Sequence, residues 1–225
     1  TAGRPAADIL IRNCEIIGDG KSRLTGLFIQ GSSTDKVTRV VCSGNRIHDF
    51  GDIESDQDQD ACCVIVGAHA SQVWLLDNTL FNASGAGLRV GAAYESEDQS
   101  SCNHIFVGHN DVYNVRQSGL TVKYAADVIF SQNRVYNIIS TSWSPSKGLA
   151  AQYGPQRIWF IFNTIHHAQY GIRIASTVDQ REWNIYLIGN LIYQIHDIDN
   201  QYGGGSWDEA GIHVHGGTKR FIINN

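Results

Sequence analysis

Methionine is absent from the 225 residues and proline occurs only 3 times. With 23 glycines against those few prolines, the chain has many tight turns and almost no proline breaks. No apolar run approaches the ~18 residues that a membrane-spanning helix needs, so no span is expected. The opening residues lack the charged and apolar regions of a signal peptide. Runs of Lys or Arg are also missing, and 17 basic side chains face 22 acidic ones, for a net charge of −5. That balance argues against nucleic acid as a partner. No 3.6-residue apolar stripe occurs, which removes amphipathic helices as the main element. Phosphate-binding loops and the GxSxG elbow are lacking too. The 5 cysteines cannot all pair within one chain. Buried free thiols are the simple reading, and adjacent Cys62 and Cys63 lack partners at zinc-ligand spacing.

What the chain does have is a repeat. DILIRNCEI, VVCSGNRIHD, VWLLDNTLFN, IFVGHNDVYN, VIFSQNRVYN, IWFIFNTIHH and IYLIGNLIYQ align on Asn13, Asn45, Asn78, Asn110, Asn133, Asn163 and Asn190, with Asn225 next in line. Six of the first seven, all but Asn13, are followed two residues later by Ile, Val or Leu. Between anchors a second element recurs: GLFIQG, CCVIVG, GLRVGA, GLTVKY, GLAAQY, GIRIAS and GIHVHG. Its period-two alternation is that of a strand. Three short strands per unit of about 30 residues predict an all-β, right-handed parallel β-helix of about seven coils. Inward Asn side chains would bond from coil to coil and satisfy the turn backbone. The whole of 1–225 reads as a single β-helix domain. Strands begin by residue 8 and the sequence stops at the eighth anchor, so both ends look truncated and a fragment of a longer protein is expected.

Alternation assigns the faces. On the Gly-led strand, Leu27/Ile29, Leu88/Val90, Leu120/Val122, Ile172/Ile174 and Ile212/Val214 point in. The outward columns read Phe28, Val64, Arg89, Thr121, Ala150, Arg173, His213, and Gln30, Val66, Gly91, Lys123, Gln152, Ala175, His215. From the third coil on they carry cations and His without a carboxylate, a strip that draws anions to an otherwise acidic protein. On the next strand an outward column reads Ile9, Val41, Trp74, Phe106, Ile129, Trp159, Tyr186 and Phe221. Such an apolar ridge marks a contact surface. Cover by another segment, a homo-oligomer interface and stacking against sugars all account for it. His48, Phe81, Tyr113, Tyr136, His166 and Tyr193 form a third, structural column. In the acidic loop GDIESDQDQDA, Asp56, Asp58 and Asp60 can supply oxygen ligands to Ca²⁺, but the run lacks the glycine and terminal Glu of an EF-hand. A solvated loop is the simpler reading. The loop YGGGSWDEA places Asp208 and Glu209 beside His213.

The NxI turns and GL/GI strands make the chain resemble the pectate-lyase-like superfamily of parallel β-helices. That resemblance implies a secreted or cell-surface protein acting on polysaccharide across the Gly-led strands. The Asp cluster with GHG and RIK of polygalacturonases is absent, as is the DPHD run of alginate epimerases. The chemistry most resembles lyases of the chondroitinase B and alginate-lyase type, which use a Lys base and an Arg, often with Ca²⁺. Lys123 would match the base and Arg173 the Arg. Arg173 stands two coils on, about 10 Å away. The family has its Arg one coil on, where this chain has Gln152. The resemblance implies β-elimination on a uronic-acid polymer. Lys123 would remove the C5 proton, and His213 or Tyr153 would protonate the leaving oxygen. Arg89, Gln152, His215, Asp208 and Glu209 would bind substrate. Hydrolysis by loop carboxylates, with Asp208 and Glu209 opposite Asp179 or Glu182, and a non-catalytic glycan-binding or structural surface protein are the alternatives.

Overall fold

A computed structural model of the chain describes residues 6–91, 101–175, 183–196, 209–215 and 219–223. The strands form three parallel sheets, each built from one strand per coil. Sheet 1 holds the Gly-led strands Leu27–Ile29, Val64–Val66, Leu88–Val90, Ser118–Lys123, Lys147–Gln152, Tyr170–Ala175 and Ala210–His215. Sheet 2 has eight strands, from Ala6–Arg12 to Lys219–Ile223, and sheet 3 has seven, from Glu15–Ile17 to Leu191–Tyr193. This is the right-handed parallel β-helix that the repeat predicts.

The turn from sheet 2 to sheet 3 shows why Asn recurs. From Asn45 to Asn163, each backbone N–H and each Nδ2 donates to Oδ1 of the next Asn at 2.9–3.0 Å. Each Nδ2 also donates to a sheet 2 carbonyl one coil back, as Asn133 does to Val107 O at 3.0 Å. Asn13 does not belong to this ladder. It is exposed with φ 53°, in register with Gly44, and Cys14 occupies the ladder position, its N–H donating to Asn45 Oδ1 at 3.0 Å. Asn13 takes the left-handed turn position that Gly44, Asp77 and His109 hold in later coils. Asn225 lies outside the described residues.

Two other registers differ from simple alternation. Phe28 pairs with Ile65, and Ile65 with Arg89, so Ile65 is the outward residue and Val64 and Val66 point in. Cys63, packed in the main core, stands where other coils have Gly. In sheet 2 Leu10 pairs with Val41, so Leu10 leads the ridge while Ile9 packs inward.

The core is one continuous cluster along the axis, with Phe130 and Phe160 stacked at 5.2 Å. All five cysteines are free thiols, and Cys42, Cys62, Cys63 and Cys102 are buried. The sheet 3 aromatics stack outside the core, ring on ring from His48 to Tyr193, at 4.3–5.1 Å. Among the described residues, no helix is long and apolar enough to cross a membrane.

One glycine position decides which side chains face outward on sheet 1. Gly148 is turned toward the interior: a Cβ there would lie 2.3 Å from Ile165 Cγ2 and 2.7 Å from Gly171 O. Gly119 is held the same way against Val135. Gly148→Ala is therefore expected to cost about 2–3 kcal/mol through overpacking. In a thermal melt that is a fall of roughly 5–10 °C.

Candidate active site

Because the glycine faces in, the residue before it faces out. Cys62, Ala86, Ser118 and Lys147 precede the inward residue in successive coils, and all four line one cavity of about 340 Å³ on the sheet 1 face. Arg89, Thr121 and Arg173 line it from the middle of the strands, with Lys123, Gln152 and Tyr153 at the strand ends.

Two loops wall it in. The segment 52–60 is held by the loop 140–146. Ser142 N donates to Asp56 O at 2.8 Å, Ser144 Oγ donates to Asp58 Oδ2 at 2.7 Å, and Thr141 Oγ1 donates to Asp58 Oδ1. Fully buried Arg116 ties both loops, giving Nε to Ile53 O and Nη1 to Ser140 O, each at 2.6 Å. Asp58 and Asp60 consequently line the cavity, with Trp143 on its rim, 72% exposed.

The cavity thus holds four cationic side chains (Arg89, Lys123, Lys147 and Arg173) against two carboxylates. Lys147 is only 4% exposed. Desolvation, with repulsion from Arg173 and Lys123, pushes its amine down to about 7. Burial also lowers Lys123, with Arg89 adding to the shift and Asp60 opposing it. Lys123 Nζ lies 5.3 Å from the centre of the Tyr153 ring, which stacks on Tyr124 at 5.7 Å. Arg89 Nε, Arg173 Nε, Thr121 Oγ1 and Gln117 Nε2 are buried on these walls without a hydrogen-bond partner among the described residues. Buried donors of this kind are costly unless something binds them.

The structure therefore brings Lys123, Arg173, Tyr153, Arg89 and Gln152 together. His213 and His215 lie on the next strand, outside the cavity lining, with His213 stacked on Tyr170 at 5.0 Å. Glu209 is exposed at the foot of that strand and does not line the cavity. Asp208, Asp179 and Glu182 lie outside the described residues. Asp56, Asp58 and Asp60 do not gather as metal ligands. Asp56 is engaged by Gln57 and Asp58 by Thr141 and Ser144, and among the described residues no trio of His, Cys, Asp or Glu is placed to hold a metal ion. Lys147 is the residue that sequence reasoning misses. Strict alternation from inward Leu149 turns Lys147 into the core, and the crowding at Gly148 reverses that. A lysine at the foot of a strand, in the coil after Lys123, is the signal that could have found it.

Residues 4–139, more than half of the sequence, match the family described as right handed beta helix region, and the chain belongs to that family. Among solved structures it is similar to the periplasmic alginate epimerase AlgG, at 11% identity and a TM-score of 0.63, covering 98% of this chain and 46% of that one. It is also similar to the A-module of the Azotobacter vinelandii mannuronan C-5 epimerase AlgE4, at 15% identity and a TM-score of 0.62, covering 96% of this chain and 58% of that one. The chain thus spans about half the length of these structures, and at such identities the likeness is one of fold. No curated protein matches it in sequence.

Proposed function

We propose that the cavity binds a uronate unit of an acidic polysaccharide and that Lys147 withdraws the proton at C5. The observation that carries this reading is the meeting of a buried lysine, pushed down to about 7, with the unpartnered donors of Arg89 and Arg173 in one cationic cavity. The two guanidiniums suit the substrate carboxylate and the enolate-like charge it gains. As the C5–H bond breaks, the proton passes to Lys147 Nζ and the electron pair moves into the carboxyl group. Breaking C4–O4 then forms the C4=C5 double bond, and Tyr153 gives its proton to the leaving oxygen. Burial, with the charges of Arg173 and Lys123, weakens the hold of Lys147 on its proton. His213 has no part, because it lies outside the cavity lining. A polymer of this kind suits a location outside the cytoplasm, as in the periplasmic AlgG.

The fold likeness to an alginate epimerase and to a mannuronan C-5 epimerase favours a second outcome of the same first step: return of a proton to the opposite face of C5. Absorbance at about 232–235 nm, followed on alginate, pectate and chondroitin sulfate with neutral glycans as controls, reports elimination. Deuterium uptake at C5 from heavy water with inverted configuration at C5 in the NMR spectrum, and without that rise, reports epimerisation. Arg89→Gln and Arg173→Gln are each expected to weaken kcat/KM by about 10²-fold. A protein that neither eliminates nor exchanges C5 hydrogen on any uronan refutes the proposal.

A further inference from the structure

We propose that sheet 2 is the self-association face of this protein. Two chains would dock with their helix axes antiparallel, about a twofold axis along the strands. The inference is independent of the cavity chemistry, which sits on sheet 1.

The ridge runs in strict register through Leu10, Val41, Trp74, Phe106, Ile129, Trp159 and Tyr186, and its first six coils form the docking patch. Leu10 is 62% and Trp74 38% exposed. A shallow groove of about 350 Å³ opens between Trp74, Phe106 and Trp159. Two residues earlier on each strand stands a second column: Asp8, Arg39, Gln72, His104, Asp127, Arg157. All six have left-handed φ, between 54° and 59°. Within the chain, Arg39 grips Asp8 and Arg157 grips Asp127, each by two bonds of 2.6 and 2.8 Å.

From coil one to coil six that column reads negative, positive, neutral, His, negative, positive. Turned end over end, it complements itself. A twofold axis along the strand direction keeps each column opposite its own copy and reverses the coil order. Centred between Gln72 and His104, it sets Asp8 against Arg157 of the second copy and Arg39 against Asp127. Each intrachain pair then meets a pair of opposite order, with no like charges facing. The same operation sets Leu10 on Trp159, Val41 on Ile129 and Trp74 on Phe106. A third column, two residues after the ridge, reads Arg12, Ser43, Leu76, Gly108, Ser131 and Ile161. Six strands at ~4.8 Å by three columns at ~7 Å give roughly 600 Å² per chain, about 1,200 Å² in all, the size of a specific interface.

The test is charge reversal that leaves each intrachain pair intact. Sedimentation velocity of the full chain should show a dimer. In D127R/R157D the pair persists with its order inverted, so Asp8 now faces an acid and Arg39 a base. Dimerisation should weaken on the order of 100-fold. In D8R/R39D/D127R/R157D complementarity returns, and with it the dimer. Circular dichroism spectra should match throughout. A wild type that is monomeric at 100 µM, a dimer insensitive to D127R/R157D, or no recovery in the fourfold variant each overturns the proposal. Tryptophan fluorescence of a monomer that responds to added saccharide, and is lost in Trp74→Ala, would make a sugar chain the occupant instead.

Discussion

Lys147→Met is expected to lower turnover on the responding uronan by about 10³-fold, the scale of a lost general base, while making the protein more stable. Both effects come from one fact: an amine only 4% exposed among Arg173 and Lys123. In the unfolded chain a lysine titrates near ~10.4, against about 7 in the folded state. Below pH 7 both states bind the proton, and the cost of the buried charge is fully present. Between about pH 7 and pH 10.4 the unfolded state holds the extra proton, so stability rises with pH. Above that window both amines are neutral and the cost is gone. The melting temperature of Lys147→Met should exceed that of the wild type at pH 6, and the gap should close by about pH 10. In the wild type, kcat/KM should climb with pH through a group near 7. Lys147→Arg keeps the charge but cannot release its proton at these pH values, so it should be as inactive as Lys147→Met. An active Lys147→Arg would move the base to Lys123.

Asn133→Ala is expected to give a large loss of stability for a single polar side chain. Asn133 Oδ1 accepts from both N and Nδ2 of Asn110, at 3.0 and 2.9 Å, and its Nδ2 donates to Val107 O and Asn163 Oδ1. Alanine leaves buried Asn110 N and Val107 O without these partners, in mid-helix, where water does not reach them. At ~1–3 kcal/mol per orphaned group, the cost is about 3–5 kcal/mol, or a fall of roughly 8–15 °C in the melting temperature. Asn13→Ala provides the contrast. Asn13 is exposed and off the ladder, so only its left-handed φ of 53° is at stake, worth about 1 kcal/mol. Equal effects at the two positions would mean that the ladder bonds add nothing beyond turn conformation.

The coil was legible in the sequence because its causes are local and repeat. An Asn at each turn after the first, a Gly before the sheet 1 strands other than Val64–Val66, and alternation along strands all follow from neighbouring backbone geometry. Even Asn13 could be suspected, since Glu15 follows it where later coils have an apolar residue. The cation strip follows from the same alternation, which places Arg89, Lys123, Gln152 and Arg173 on the outward side of sheet 1, where they line the cavity. What only the tertiary structure decided depends on contacts between coils. Lys147 turns outward because a Cβ at Gly148 would strike Ile165, a residue two strands further along the chain. Asp58 and Asp60 join the cavity because their loop is fastened to Thr141, Ser142 and Ser144 some 80 residues away. Alternation along one strand is set by its own pleat; the burial that moves an amine to about 7 is set by what the rest of the chain stacks around it.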